Sequence, residues 1–579
     1  MSSIVVERDP QPRERVDRRL IIGACVVVTL VCVARAVQLA WLSDDGFISF
    51  RYAQNLAEGR GLVYNAGEYV EGYTNLLFTL LLAGFMRLGA PPEIMSHVLG
   101  ISCWLTQAGV LGWWSWRRAK ADGHRFLPLA AALTLLLEDQ QRWATGGLET
   151  SMFGLLASSG LLLLAVDVPN RRRQLAAAAL LGLATLTRPD GVLFCALGVS
   201  YAFIARPGAK FAERITDSAA VAIPLAIVGA CLVSFKLSYY GDVFPTAFYA
   251  KSALDGYARQ GFYYVGLFLE RNWFAALFVA LVLWPARAGL GRLASRPVAL
   301  LLAALLVFGA YIVHSGGDFM YARRLMPVLP FVWLLFEALL ACCTQRTVAV
   351  GFFLVTLVAA ALPRDPFASN GPVILRGVAN EWAFYPKDYV AACRNRGEFL
   401  HSVLSKTPVR VVYSTRLAMF GYYSRLPYLV ESTGLTQYSM AKQSLVGGRT
   451  RVGHEKRVTK AWMTANNMHM YLFVDGEPLV KNGARRFDYA RLGGRFTALI
   501  WIYDDKVMDA FRNEPEIDFV PIETILAGLE ARMAGQPYAR ARNMLSYYET
   551  FYLNHATGAR AELATRLRRM VMEKQALQP

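Results

Sequence analysis

Apolar residues come in long runs over the first 362 positions, separated by short polar segments, and the pattern then stops. The first run, LIIGACVVVTLVCVARAVQLAWL (Leu20 to Leu42), is long enough to cross a bilayer with some tilt. Arg13, Arg15, Arg18 and Arg19 precede it, the basic flank of a signal anchor that keeps its N-terminus cytoplasmic. Further runs cover about 73–90, 93–116, 126–138, 146–166, 174–187, 190–205, 216–236, 262–285, 297–314, 325–342 and 347–362. Several are short, which predicts kinked or incomplete spans. Beyond LPRDP (362–366) the sequence is mixed and polar. The β-like stretches VRVVYS (409–414), MYLFVD (470–475) and TALIWIYDD (497–505) alternate there with helical ones at 522–534 and 559–574.

This pattern predicts an all-α multi-pass membrane domain over 20–362, after a cytoplasmic tail at 1–19, followed by an extracytoplasmic α/β-type domain over 363–579. Basic loops around 171, 210 and 290 face the cytoplasm in this scheme, and an odd number of crossings follows, about eleven. WRRAKADGHR (116–125) falls outside against its charge if both 73–90 and 93–116 cross, so one of those two is re-entrant or the charge rule fails there.

Composition agrees. The 579 residues are 55% hydrophobic and 18% charged, with mean hydropathy +0.31, values that a soluble chain of this length rarely reaches. A net charge of +18 would suggest nucleic acid in a soluble protein. Here many basic residues sit in short loops between apolar runs, so an anionic membrane surface is the expected partner and nucleic acid is not. No Cys/His cluster has zinc spacing and no oxygen-ligand loop stands out, so no metal or other cofactor is expected, with a divalent ion left open.

The chemistry begins directly after the first run, at WLSDDGFISFRYAQNLAEGRG. Ser43 is a fair N-cap, and helical spacing continues until Gly59 and Gly61. On that helix Asp44, Ile48, Arg51 and Asn55 share one face, while Asp45, Ser49 and Tyr52 form the next stripe. A juxtamembrane helix whose aspartates meet exposed N–H groups explains these residues equally well on helix evidence alone. The other outer loops repeat carboxylates beside Gly, Pro and aromatic residues: Glu68, Glu71 and Tyr73; Glu149; Arg188 and Asp190; Asp242, Tyr249 and Lys251; Asp318, Tyr321, Arg323 and Arg324. Such recurrence at span ends fits a polar cavity opening outward.

The segment DDGFISFRYAQNLAEGRGLVYNAGEYVEGYTN (44–75) resembles the first external loop of GT-C glycosyltransferases, specifically the terminal arabinofuranosyltransferases of mycobacterial-type cell walls. TGGLETSMF (145–153), TRPDG (187–191), YYGDVFPTAFYAK (239–251), GGDFMYARRLMP (316–327), STGLT (432–436) and RVGHEK (451–456) match further patterns in the same order. The resemblance implies a polyprenyl-phosphate sugar donor and an extracytoplasmic glycan or glycoprotein acceptor. It places the catalytic carboxylate at Asp44 or Asp45, with Asp44 the expected base. Arg51, Lys251, Arg323 and Arg324 are then candidates for the donor phosphate. Tyr52, Asn55, Glu68, Glu71, Glu149, Asp190, Asp242, Tyr249, Asp318 and His454 are candidates for sugar or acceptor. A lone histidine is more often structural, and this applies to His454 and to His314. The alternatives are a related enzyme for another lipid-linked sugar and a non-catalytic membrane assembly or motor-control factor, since some relatives carry that label.

Overall fold

A computed structural model describes residues 12–577 apart from 124–125, 167–168, 252–255, 277–294, 344, 363–364, 368–370, 445–452, 454–455, 475–488, 492–495, 513, 520–521 and 555. His454, Arg287 and Arg292 lie outside the described residues. Among the described residues, three helices are long and apolar enough to cross a membrane: Pro92–Asp122, Phe211–Tyr240 and Arg296–His314. Shorter apolar helices include Cys25–Gln38, Leu76–Arg87, Thr150–Leu164, Gly191–Ile204, Leu329–Ala341 and Arg346–Ala361. Large apolar side chains stand exposed along them, among them Ile223, Ile227 and Leu237 on one helix and Leu354, Val355 and Val358 on another. Exposed apolar faces of this extent suit lipid rather than water.

The segment that resisted a simple topology resolves into two unequal helices. Leu76–Arg87 has 12 residues, so it extends roughly 18 Å, well short of the ~30 Å hydrocarbon core. Helix Pro92–Asp122 continues through the basic stretch, where Arg117, Arg118 and Lys120 lie over the rings of Trp113, Trp114 and Trp116. Tryptophans paired with cations at a helix end are an interfacial anchor.

The C-terminal region opens with a small hairpin, β1 (Ile374–Leu375) and β2 (Val378–Ala379). A six-stranded sheet follows, made of β3 (Arg410–Tyr413), β4 (Tyr428–Glu431), β5 (Met470–Val474), β6 (Tyr489–Arg491), β7 (Phe496–Ile500) and β8 (Asp518–Phe519), in the order β4-β3-β5-β7-β6-β8. Strand β3 pairs parallel with both β4 and β5, and the remaining pairs are antiparallel. The connection from β3 to β4 carries the short helix Ala418–Ser424. The three β-like stretches of the sequence are therefore strands, and the expected helices appear at 522–527, 529–534 and 559–576.

The two regions meet along the helix Asp44–Ala57 of the first loop, which is buried over most of its length. It ends where Gly59 and Gly61 adopt positive φ, as the glycines predict. At its start, Gly46 lies against the 145–149 loop; a Cβ there would come within 2.9 Å of the Gly147 carbonyl oxygen. Arg51 binds this helix to the C-terminal region. Its Nε donates to the Tyr64 carbonyl (2.8 Å), one terminal nitrogen donates to the Leu426 carbonyl (2.7 Å), and the other donates to the Gly421 carbonyl (3.3 Å). Nearby, the Glu68 carboxylate accepts from Tyr428 and Gln437, and the Tyr64 and Tyr413 hydroxyls share a 2.6 Å bond.

Truncating Arg51 leaves the buried Leu426 carbonyl without a donor, which costs about 1–3 kcal/mol, and removes a second donor from the Tyr64 and Gly421 carbonyls, which keep Asn55 and Ser424. Arg51→Ala is expected to lower the thermal unfolding midpoint in detergent sharply and to expose the 410–430 segment to protease. Wild-type values for both would remove Arg51 as the tie between the regions.

Candidate functional site

Asp44 and Asp45 are adjacent in sequence but differ in environment. Asp44 is 6% exposed, and its two carboxylate oxygens accept the backbone N–H groups of Ala418 (3.0 Å) and Met419 (2.9 Å). It thus caps a helix of the C-terminal region rather than its own. Burial pushes the Asp44 carboxyl up to about 7, against the pull of those two N–H groups. Ser43 occupies the N-cap position of helix Asp44–Ala57 without a side-chain capping bond.

Asp45 points into a cavity between the loop helix and the C-terminal region, and makes no hydrogen bond among the described residues. The cavity is lined by Asp44, Asp45, Lys251, Phe319, Glu381, Tyr385, Arg416, Glu431 and Thr433, among others, and its volume is about 50 Å³. A water needs roughly 10–15 Å³ of such space, so a few waters fit, whereas a sugar ring enters only if the walls move apart. Burial raises the Asp45 carboxyl above the ordinary aspartate range, opposed by Lys251 and Arg323. Lys251 is lowered by burial and sustained by Asp318 and Asp45. Its ammonium lies 5.8 Å from the centroid of the Phe319 ring. Burial also works against ionised Asp318, but Lys251, Arg323 and Arg324 hold that carboxyl low.

Behind Asp45 a buried polar anchor joins four loops. Glu149, 1% exposed, accepts Arg323 (2.9 Å), Arg188 (3.1 Å) and the Asn75 amide (3.0 Å), and the two arginines overcome burial to hold it at about 2. Arg188 closes a bidentate pair on Asp190 at 3.0 and 2.8 Å. Asn75 accepts from Ser49 and Thr79. Arg323 follows Ala322, whose φ of 62° lies in the left-handed region. Strain of this kind at a non-glycine residue is usually sustained by its surroundings at functional sites.

Several expected site residues are elsewhere. Asp44 and Arg51 do share a helix face, but protein covers the Arg51 side chain, and its donors are taken up by Tyr64 and Asn65 of the first loop and by Gly421 and Leu426, so none is directed to a phosphate. The Tyr52 hydroxyl donates to the Val70 carbonyl and accepts the Gly72 N–H, and the Asn55 amide donates to the Val63 and Tyr64 carbonyls. Glu68 bridges to Tyr428 and Gln437. Glu71 pairs with Lys236 at 2.8 Å. Asp242 accepts from Lys442 and Tyr249 away from the cavity. Arg324 donates to Ser315, Gly317 and Tyr311. These eight residues hold the loops rather than line the cavity.

Conversely, Glu431, Glu381 and Arg416 line the cavity without having been candidates, and Asn75 and Arg188 build its floor. Glu431 immediately precedes STGLT, so the motif lay one residue away. Its carboxylate accepts the Thr433 N–H (2.8 Å), the Thr433 hydroxyl (2.6 Å) and the Leu435 N–H (3.2 Å), while burial raises it to about 7. Among the described residues, no group of three or more His, Cys, Asp or Glu side chains is placed to hold a metal ion.

No protein-family model matches the chain. It is 27% identical over 329 residues to the terminal beta-(1->2)-arabinofuranosyltransferase of Mycobacterium tuberculosis, covering 50% of this chain and 51% of that protein. It is 28% identical over 329 residues to the protein of the same name from Corynebacterium glutamicum, covering 49% and 46%. The chain thus matches about half the length of these curated relatives. The crystal structure of ArnT from Cupriavidus metallidurans bound to undecaprenyl phosphate superimposes with a TM-score of 0.52 at 14% identity, over 83% of this chain and 97% of that one. The chain has the fold of ArnT, and the resemblance to terminal arabinofuranosyltransferases read from the loop motifs is borne out.

Removing one partner from a buried ion-pair cluster costs about 3–5 kcal/mol because the others keep their charge. Glu149→Gln leaves Arg323 and Arg188 without their shared anion, so a fall of that size in unfolding free energy is expected in detergent. An unchanged denaturation profile would rule out the anchor.

Proposed function

We propose that this protein is a membrane glycosyltransferase that moves an arabinofuranosyl residue from a polyprenyl-phosphate donor to the hydroxyl of an extracytoplasmic glycan or glycoprotein. The observation that carries the reading is the Asp45 carboxyl beside Lys251 in a cavity to which the first-loop segment, Lys251, Phe319 and Thr433 of the motifs contribute. The undecaprenyl phosphate bound by ArnT supports a lipid-phosphate donor. The proposed arrangement has about eleven spans over 20–362, the N-terminus in the cytoplasm and the region 363–579 outside.

An alcohol is a poor nucleophile until a placed base accepts its proton. In the proposed reaction the acceptor oxygen replaces the phosphate oxygen at the anomeric carbon. The alcohol proton goes to Asp45, and the electrons of the broken C–O bond leave on the polyprenyl phosphate. Lys251 and Arg323 stabilise the charge that grows there. Asp44 holds the Ala418–Ser424 wall in position, because both its oxygens are already engaged with backbone N–H groups. This assigns the base role to Asp45 instead of Asp44. The polyprenyl chain lies along the apolar helices, where its burial supplies affinity indifferent to detail.

Incubation with radiolabelled polyprenyl-phosphate arabinose and candidate glycan acceptors tests the reading. Asp45→Asn is expected to reduce transfer by about 10²–10⁴-fold, the usual contribution of a general base, with donor binding retained. Wild-type turnover by that variant would end the assignment. Because the Asp45 carboxyl is raised, its base form appears only above the ordinary value of about 3.9. The rate should therefore fall on acidification at a distinctly higher pH than an exposed aspartate would give. Cysteine labelling in a cysteine-free background tests the topology: Asp242→Cys should react from outside and Arg172→Cys only after the cytoplasm is opened.

A further inference from the structure

The cations around the cavity are nearly all committed. Arg188 is bidentate on Asp190 and bound to Glu149, Arg323 is paired with Glu149, and Arg324 donates to three loop oxygens. Lys251 faces two carboxylates, Asp318 and Asp45. Arg416 is different. It lines the cavity from the C-terminal side, and its side chain forms no ion pair or hydrogen bond among the described residues. Its guanidinium carbon lies 5.7 Å from the centroid of Phe384, which lines the same cavity.

The backbone supplies a second, independent observation. Arg416 has φ 72°, in the left-handed region that costs a side-chain-bearing residue energy. The Tyr389 hydroxyl donates to its carbonyl at 2.7 Å, and the following helix is fixed through Ala418 and Met419 to Asp44. A conformation that glycine would adopt freely is thus kept for an arginine, on a wall clamped to the residue beside Asp45.

We propose that Arg416 is a phosphate-binding residue of the site, a cation that the C-terminal region supplies to the lipid-phosphate donor. This rests on the donor reading above. A planar guanidinium offers parallel N–H donors that match two phosphate oxygens, and an uncommitted one gives up no existing pair on binding. Asp45 and Arg416 line one cavity from opposite chain segments, so the base and the leaving phosphate are addressed by different regions of the protein. The C-terminal region is then part of the donor site rather than an appended module.

The test is direct binding of undecaprenyl phosphate to the full-length protein in detergent, with uncharged undecaprenol as comparator. Arg416→Gly removes the cation and also relieves the backbone, so its unfolding midpoint should equal or exceed that of the wild type. Its affinity for undecaprenyl phosphate should drop tenfold or more while undecaprenol binding is unchanged, and Arg416→Lys should recover part of the loss. Undiminished phosphate binding by Arg416→Gly overturns the inference and leaves the donor reading intact, as does a lowered midpoint accompanied by loss of undecaprenol binding. If the wild type binds undecaprenyl phosphate no more tightly than undecaprenol, the donor reading and the inference fall together. Intact phosphate discrimination without arabinose transfer would sink the sugar assignment and support the phosphate site.

Discussion

The carboxylate of Asp44, receiving the N–H groups of Ala418 and Met419, is the contact on which the arrangement turns. Two hydrogen bonds from backbone N–H groups to a buried carboxyl fix the first-loop helix against the C-terminal region. Arg51 repeats the attachment two turns later through Leu426 and Gly421. The Asp44 contact places Ala418 in the wall of the cavity that Asp45 also lines. Had Asp44 capped its own helix, the wall carrying Arg416 and Glu431 would lack its anchor at the point where the chemistry requires rigidity.

The site divides into a floor that is electrostatically settled and a cavity that is not. In the floor Glu149, Arg188, Asp190, Arg323 and Asn75 satisfy one another, and a carboxyl held at about 2 remains ionised at any physiological pH. In the cavity Asp44 and Glu431 are both raised to about 7, and Asp45 is raised as well. Burial displaces all three of these carboxyls upward, opposite to the floor carboxylate.

Much of this was legible in the chain. The loop helix begins at Asp44 and ends at its glycines, and each of the three β-like stretches carries a strand, while β4, β6 and β8 lie outside them. The acidic loops do converge near Asp45, bringing Glu149, Asp318, Lys251 and Arg323 together. Asp44 and Arg51 lie on one face of the loop helix, as the helical period predicts. What spacing cannot supply is the occupant of that face, because helical period reports neighbours along a helix and not the partner 374 residues away. Glu68, Glu71 and Asp242 each meet a partner from a distant segment, and a carboxylate in a loop carries no mark distinguishing a tie from a site. Glu431 and Arg416 escaped notice because they lie in strand and turn sequence of ordinary composition, and only the backbone angle at Arg416 sets it apart.

The separation of 374 residues between Asp44 and Ala418 also bears on assembly. Contacts so far apart in the chain close late, since the loop entropy between them must be lost first. During synthesis the first-loop helix emerges hundreds of residues before its partner, with Asp44 and Arg51 still hydrated and the cavity wall not yet made. The cavity beside Asp45 therefore closes only after the segment around Ala418 and Glu431 has folded back onto the first loop, so a chain halted before that segment has the loop helix and no cavity.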